Sequence, residues 1–221
     1  MIEILRQIAI IGAGGVGKEV ALLIEEINNI KPTWDLIGFI DDNKDLHGKY
    51  INGIKVLGGI DYLSNNADNI FVICAIADYK IKKSIVSKLE NYNVEYANII
   101  HPSVYISKTN LIGKDVIIYP GCILTTNIKI GNHVIISPKC GIGHEAYIDD
   151  YVSLLWDVNV AGNVRINEGC LIGSNATIIQ NKEVGKGTII GAGAVVVDNI
   201  PSNCTAVGVP AKPIKFHEEA K

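Results

Sequence analysis

Three glycines, Gly12, Gly14 and Gly17, spell GxGxxG between an apolar run at residues 8–11 and a stretch in which Val20, Leu23, Ile24 and Ile27 recur at helical spacing. Between a strand and a helix, this motif turns backbone N–H groups at the helix N-terminus toward a phosphate. Asp41 closes the next apolar run, residues 36–40, where an acidic residue can reach a ribose. Three readings stay open: a dinucleotide such as NAD, a mononucleotide or sugar nucleotide, and a tight turn with no ligand. About four strands are expected here against the six of a dinucleotide fold, which favours the smaller nucleotide.

The other side chains able to do chemistry are five cysteines and five histidines. Cys74, Cys122, Cys140, Cys170 and Cys204 are odd in number, widely spaced and form no CxxC pair, which argues against a disulfide framework or a zinc site and for a reducing cytoplasm. Among the histidines, His47 falls in a polar loop and His217 in the tail. His101 precedes Pro102 at a junction and is structural, and His133 occupies a repeat position expected to face solvent. His144 is followed by Glu145.

The elements that must carry these residues change character near residue 100. Before it, apolar runs at 8–11, 36–40, 70–76 and 95–99 read as strands; Ile81, Ile85 and Leu89 line one face of a second helix, and residues 43–59, polar and dotted with glycine, read as a loop. Strands alternating with helices predict a small α/β Rossmann-like domain over residues 1–100. After it, every sixth residue from Ile106 to Val196 is Ile, Leu or Val. A second column four positions on, from Val116 to Ile200, is almost wholly small or β-branched and includes Cys122, Cys140 and Cys170 as buried small hydrophobes. This is the hexapeptide pattern of an all-β, left-handed parallel β-helix over residues 101–221, in which three hexapeptides close a triangular coil and residues eighteen apart stack. Gly113, Gly131, Gly143, Gly173 and Gly191 are expected at turns with positive φ. Lys182 breaks the small-residue column and marks a distorted or looped-out corner.

The register puts His144 two positions after the inward Ile142, at a corner and facing outward. Asp149 falls on a different corner from His144 and Glu145, so no metal site is expected. A formal net charge of −3 and the absence of a long basic stretch argue against nucleic acid. No apolar run approaches a membrane span, and no secretion signal is seen after Met1.

A Rossmann-like domain, then "IIHPSVYIS", then hexapeptides, then Val207 to Lys212 as Val-Gly-x-Pro-Ala-Lys, resembles over the whole chain the bacterial sugar acyltransferase family that includes the bacillosamine-pathway N-acetyltransferase and the sialic acid O-acetyltransferases. The resemblance implies acetyl transfer from acetyl-CoA to the amino group of a nucleotide-linked amino sugar, with O-acetylation of a hydroxyl such as that of sialic acid as the alternative. It implies a homotrimer with acyl-CoA between neighbouring β-helices, His144 as general base and Glu145 as the carboxylate that orients it. A histidine suits that task because imidazole titrates near neutrality. Ser153, Gly162, Ser174 and Ala192 match CoA-contacting positions. The missing side chain of Gly162 is expected to leave room for the pantetheine arm. Trp156, one coil below Ser174, walls a pocket or packs between subunits. Gly12, Ala13, Gly14, Gly15, Asp41, Asp42 and Ala77 match sugar-nucleotide positions. Two places depart from the bacillosamine enzymes: Val16 stands where their turn has histidine, and Ala77–Asp78 where they have glycine and asparagine.

Overall fold

The computed structural model describes residues 5–64, 70–92 and 94–217. The chain divides into two compact units, Met1–His101 and Pro102–Lys221.

The first unit runs β1 (Arg6–Ile11), α1 (Gly15–Ile30), β2 (Trp34–Ile40), β3 (Tyr50–Ile51), β4 (Ile54–Gly58), β5 (Ile70–Cys74), α2 (Tyr79–Leu89) and β6 (Glu95–Tyr96). The sheet order is β3-β4-β2-β1-β5-β6, parallel except at the β3–β4 hairpin. β1 lies between β2 and β5, which is why residues 8–11 are uniformly apolar and buried. The expected loop at 43–59 instead holds a 3₁₀ turn, Lys44–Leu46, and that hairpin. Asn52 and Gly53 both take positive φ, 49° and 80°, as a two-residue hairpin turn requires, and β4 then extends the sheet from four expected strands to six.

Helix α2 also differs from expectation. Its buried stripe is Lys82, Val86 and Leu89. Ile81 is 54% exposed, because the core-facing direction lies one residue further round the helix than the isoleucines suggest.

The second unit is the left-handed parallel β-helix. Two-residue strands stack parallel in three sheets, each residue pairing with the one eighteen ahead, as Ile135 with Ser153 and Ile136 with Leu154. The second residue of each strand points inward: Ile118, Ile136, Leu154, Ile172 and Ile190 fill one column with no exposed surface. Each such side chain contributes about 1.5–3 kcal/mol by burial. The first strand that lies wholly within this unit is Leu111–Ile112. Asn110 caps the stack there, accepting from the Ile128 amide and donating to the Thr125 carbonyl. All five cysteines are buried free thiols.

Three repeat expectations are corrected. Positive φ falls at the third corner position, as in Asp115, Asn127, Glu145 and Asn163, and not at Gly113, Gly131, Gly143, Gly173 or Gly191. Those glycines are required by coil-to-coil contact: a Cβ on Gly173 would lie 2.5 Å from the Ala192 amide, and one on Gly113 2.5 Å from the Gly131 carbonyl oxygen. The corner at Lys182 is regular, since the Arg165 amide donates to the Lys182 carbonyl and Glu183–Val184 pair in register with Arg165–Ile166. His133 does not face solvent. It is 4% exposed, bonded through Nδ1 to Asp115 Oδ2 at 2.7 Å and stacked on Tyr151 at 4.8 Å, so that Asp115, His133 and Tyr151 fill one vertical column.

Candidate active site

In the first unit a cleft of about 680 Å³ opens at the β1–α1 turn. Gly12, Gly14, Gly15, Asp41 and Asp42 line it. The three motif glycines have separate physical duties. Gly12 sits at φ +99°, where a side chain is strained; a Cβ on Gly17 would run into the Gly12 carbonyl oxygen; a Cβ on Gly14 or Gly15 would meet nothing within 4 Å. The last two therefore keep open space rather than relieve crowding. Helix α1 starts there with no side-chain cap and no acidic residue in its first turn, which leaves its positive end facing the cleft.

This separation makes a test. Gly14→Ala leaves Tm unchanged and raises KM for a phosphate-bearing ligand about tenfold. Gly17→Ala destabilises by about 1–3 kcal/mol through overpacking. Thermal unfolding together with ligand titration reads both, and equal loss of Tm in the two variants would sink the assignment.

The Asp41 carboxylate also serves the fold. Its Oδ2 accepts from the Ala13 amide at 2.9 Å and its Oδ1 from the Asn43 amide at 2.9 Å, so the residue ties the turn to the end of β2. Ala13 is buried behind the turn, and Ala77 lies outside the lining, which takes Ala75 and Ile76 instead. Sequence reasoning missed Lys80, Ser84 and Lys88, which α2 presents to the cleft. Their spacing of four puts them on one helical face, a signal masked by the competing isoleucines. Lys88 reaches across to Asp42 Oδ2 at 3.4 Å.

In the second unit His144 occupies the corner between the strands Gly141–Ile142 and Tyr147–Ile148, with 59% of its side chain exposed. Its Nδ1 bonds Glu145 Oε2. An ionised carboxylate only accepts, so Nδ1 is the donor in this bond, and in the neutral ring Nε2 is the acceptor. Hydrogen bonds from Asn127 and from His144 hold the Glu145 carboxyl below the usual carboxylate range, keeping it ionised. The ring lies over Gly162: a Cβ there would sit 2.5 Å from both His144 Cε1 and Nε2. The space beside Gly162 is thus taken by the imidazole.

A groove of about 410 Å³ runs beside this corner, lined by Gly141, Gly143, Asn159, Ala161 and Thr177 among others. Ser174 and Ala192 share the opposite corner of the same face with Trp156, which is 46% exposed. A single chain therefore does not bring them to His144. Ser153 is 1% exposed, enclosed where a cofactor could not touch its side chain.

Residues 7–89 match the PglD N-terminal domain family and residues 111–144 the bacterial transferase hexapeptide family. No curated relative matches. Among solved structures, WeeI from Acinetobacter baumannii is 32% identical with a TM-score of 0.85, covering 94% of this chain and 99% of that one. The acetyltransferase domain of PglB from Neisseria gonorrhoeae in complex with acetyl coenzyme A is 28% identical, TM-score 0.86, covering 95% and 100%. A mutant perosamine N-acetyltransferase from Caulobacter crescentus in complex with CoA and GDP-perosamine is 27% identical, TM-score 0.84, covering 94% and 96%.

Proposed function

Because the chain belongs to the bacterial sugar acyltransferases that join a PglD-type domain to a hexapeptide β-helix, we propose that it transfers an acetyl group from acetyl-CoA to the amino group of a nucleotide-linked 4-amino sugar, with His144 as general base. It is an acetyl-CoA-dependent sugar acyltransferase. The finer reading is carried by one observation: an exposed imidazole whose Nδ1 bonds the Glu145 carboxylate.

Nε2 takes the proton of the attacking amine as its nitrogen bonds the thioester carbon. The tetrahedral intermediate collapses by breaking the C–S bond, and the departing thiolate takes the proton from the imidazolium. Glu145 stabilises that imidazolium, as the carboxylate of a triad does. The sugar nucleotide is assigned to the first unit, its diphosphate at the uncapped end of α1 and Lys80 and Lys88 alongside. GDP-perosamine in the Caulobacter relative supports this substrate class. With His144 on one corner and Ser174 and Ala192 on another, a cofactor touching both requires a second copy, which accords with a homotrimer. Five buried free thiols suit the cytoplasm.

The test is thiol release from acetyl-CoA with UDP-, dTDP- and GDP-linked 4-amino sugars and free sialic acid. Release with one of the amino sugars is expected. Release only with sialic acid would move the reaction to a hydroxyl acceptor, and silence with all of them would remove the acceptor class.

A further inference from the structure

The dyad His144–Glu145 leaves a mechanical question. Glu145 is 45% exposed and sits on a corner at φ +57°, a conformation that costs a residue with a Cβ roughly 1–2 kcal/mol. An exposed carboxylate has several rotamers and is well solvated, so its attraction to a neighbouring imidazole is too weak by itself to fix either side chain. Something must select the rotamer.

Asn127 stands one coil below Glu145, eighteen residues back, in the same third corner position. Its Nδ2 donates to Glu145 Oε1 at 3.1 Å, while the other carboxylate oxygen, Oε2, takes His144 Nδ1. Asn127 is itself held: its amide donates to Thr109 Oγ1 at 3.2 Å, and Thr109 Oγ1 bonds Thr126 Oγ1 at 2.8 Å. The Glu145 amide in turn donates to the Thr126 carbonyl at 3.1 Å. A ladder thus climbs the corner from Thr109 through Asn127 to Glu145 and ends on the imidazole.

We propose that Asn127 is a positioning residue for the reaction: by occupying Oε1 it fixes the Glu145 rotamer and thereby holds the Nδ1–H tautomer of His144. The inference rests on His144 being the base. Asn127 suits the place on two counts. Asparagine tolerates its own φ of +58° better than most residues, and a neutral amide supplies a donor without a charge that would compete for the carboxylate. The downward shift of the Glu145 carboxyl, with the Asn127 bond as its largest cause, accords with this.

Two variants of the full-length protein test it. Asn127→Gly removes the amide and keeps the left-handed backbone. Asn127→Asp keeps the shape but sets a carboxylate against Glu145. Ring-nitrogen NMR of 15N-histidine-labelled protein reads the tautomer with no substrate present. In the wild type, His144 is expected as Nδ1–H; in both variants the Nε2–H form gains population, with Tm unchanged. In the transfer assay kcat falls about tenfold for Asn127→Gly, the worth of one hydrogen bond to a charged group, with both KM values unaltered, and further for Asn127→Asp. In a Glu145→Ala background Asn127→Gly costs nothing more. An unchanged tautomer population in both variants, or an equal loss of kcat in the Glu145→Ala background, overturns the proposal. Full activity of His144→Ala, run alongside, overturns it together with the proposed base, whereas an inactive His144→Ala with normal Asn127 variants overturns the positioning role alone.

Discussion

Replacing His144 with alanine lowers kcat for acetyl transfer by about 10²–10⁴-fold, the span a positioned general base contributes, and leaves acetyl-CoA binding intact. An amine that attacks a thioester carbon without losing its proton gives a cationic adduct that reverts. The barrier therefore depends on a base that is exposed and aimed. His144 meets each requirement: Nδ1 is committed to Glu145, Nε2 is the remaining acceptor, and more than half of the side chain is open. The other described histidines fail on geometry. His133 is enclosed between Asp115 and Tyr151, His47 Nε2 bonds the Asp41 carbonyl at 2.8 Å, His101 is mostly buried with Nε2 3.8 Å from Glu26 Oε2, and His217 Nε2 lies 3.0 Å from Thr205 Oγ1. Steady-state kinetics with the active acceptor, beside calorimetric titration of acetyl-CoA, separates the two effects. A loss of less than about fivefold would mean the amine is deprotonated before it binds, with the corner histidine only lining the site.

The β-helix was legible because its period of six coincides with burial: the inward column holds without interruption, and the small corner column is broken only at Lys182. What the columns conceal is vertical. Asp115 and His133 are eighteen apart, as are Asn127 and Glu145, and in each case a polar residue chose its partner from the next coil. Read by coil position rather than by neighbourhood in the chain, both pairs are visible in the sequence. Considered alone, His133 looked like a surface residue. The glycines after the aliphatic positions were found in the right places for the wrong reason, since the twist is absorbed two residues later and the glycines clear the neighbouring coil. In the first unit the Asn52–Gly53 pair is a hairpin signal that the surrounding polarity hid. Lys80, Ser84 and Lys88 stayed unseen because two apolar stripes compete on α2, and only the fold decides which of them is buried. Ser174 and Ala192 cannot be related to His144 from one chain at all, because they flank the same face from opposite corners.

Gly162→Ala lowers kcat about 100-fold while Tm stays near that of the wild type. The added Cβ lies 2.5 Å from two atoms of the imidazole, and no positive φ opposes alanine at this position. The cheapest relief is rotation of the exposed His144 side chain, which costs the fold little. For a base the consequence is large, since misplacement by about 1 Å costs a reaction of this kind on the order of 10²-fold. Gly143 supplies the contrast. A Cβ there would lie 2.6 Å from the Gly162 amide nitrogen and 2.7 Å from the Ala161 carbonyl carbon, both backbone atoms of the next coil. Those atoms cannot rotate away, so Gly143→Ala separates two coils and lowers Tm by several degrees, as about 1–3 kcal/mol of overpacking does in a domain of this size. Kinetics and melting curves of the two variants thus distinguish a glycine that seats the base from one that seats the coil. If Gly162→Ala instead kept kcat and raised KM for acetyl-CoA alone, the missing side chain would serve the cofactor, and the imidazole would have to find its place without it.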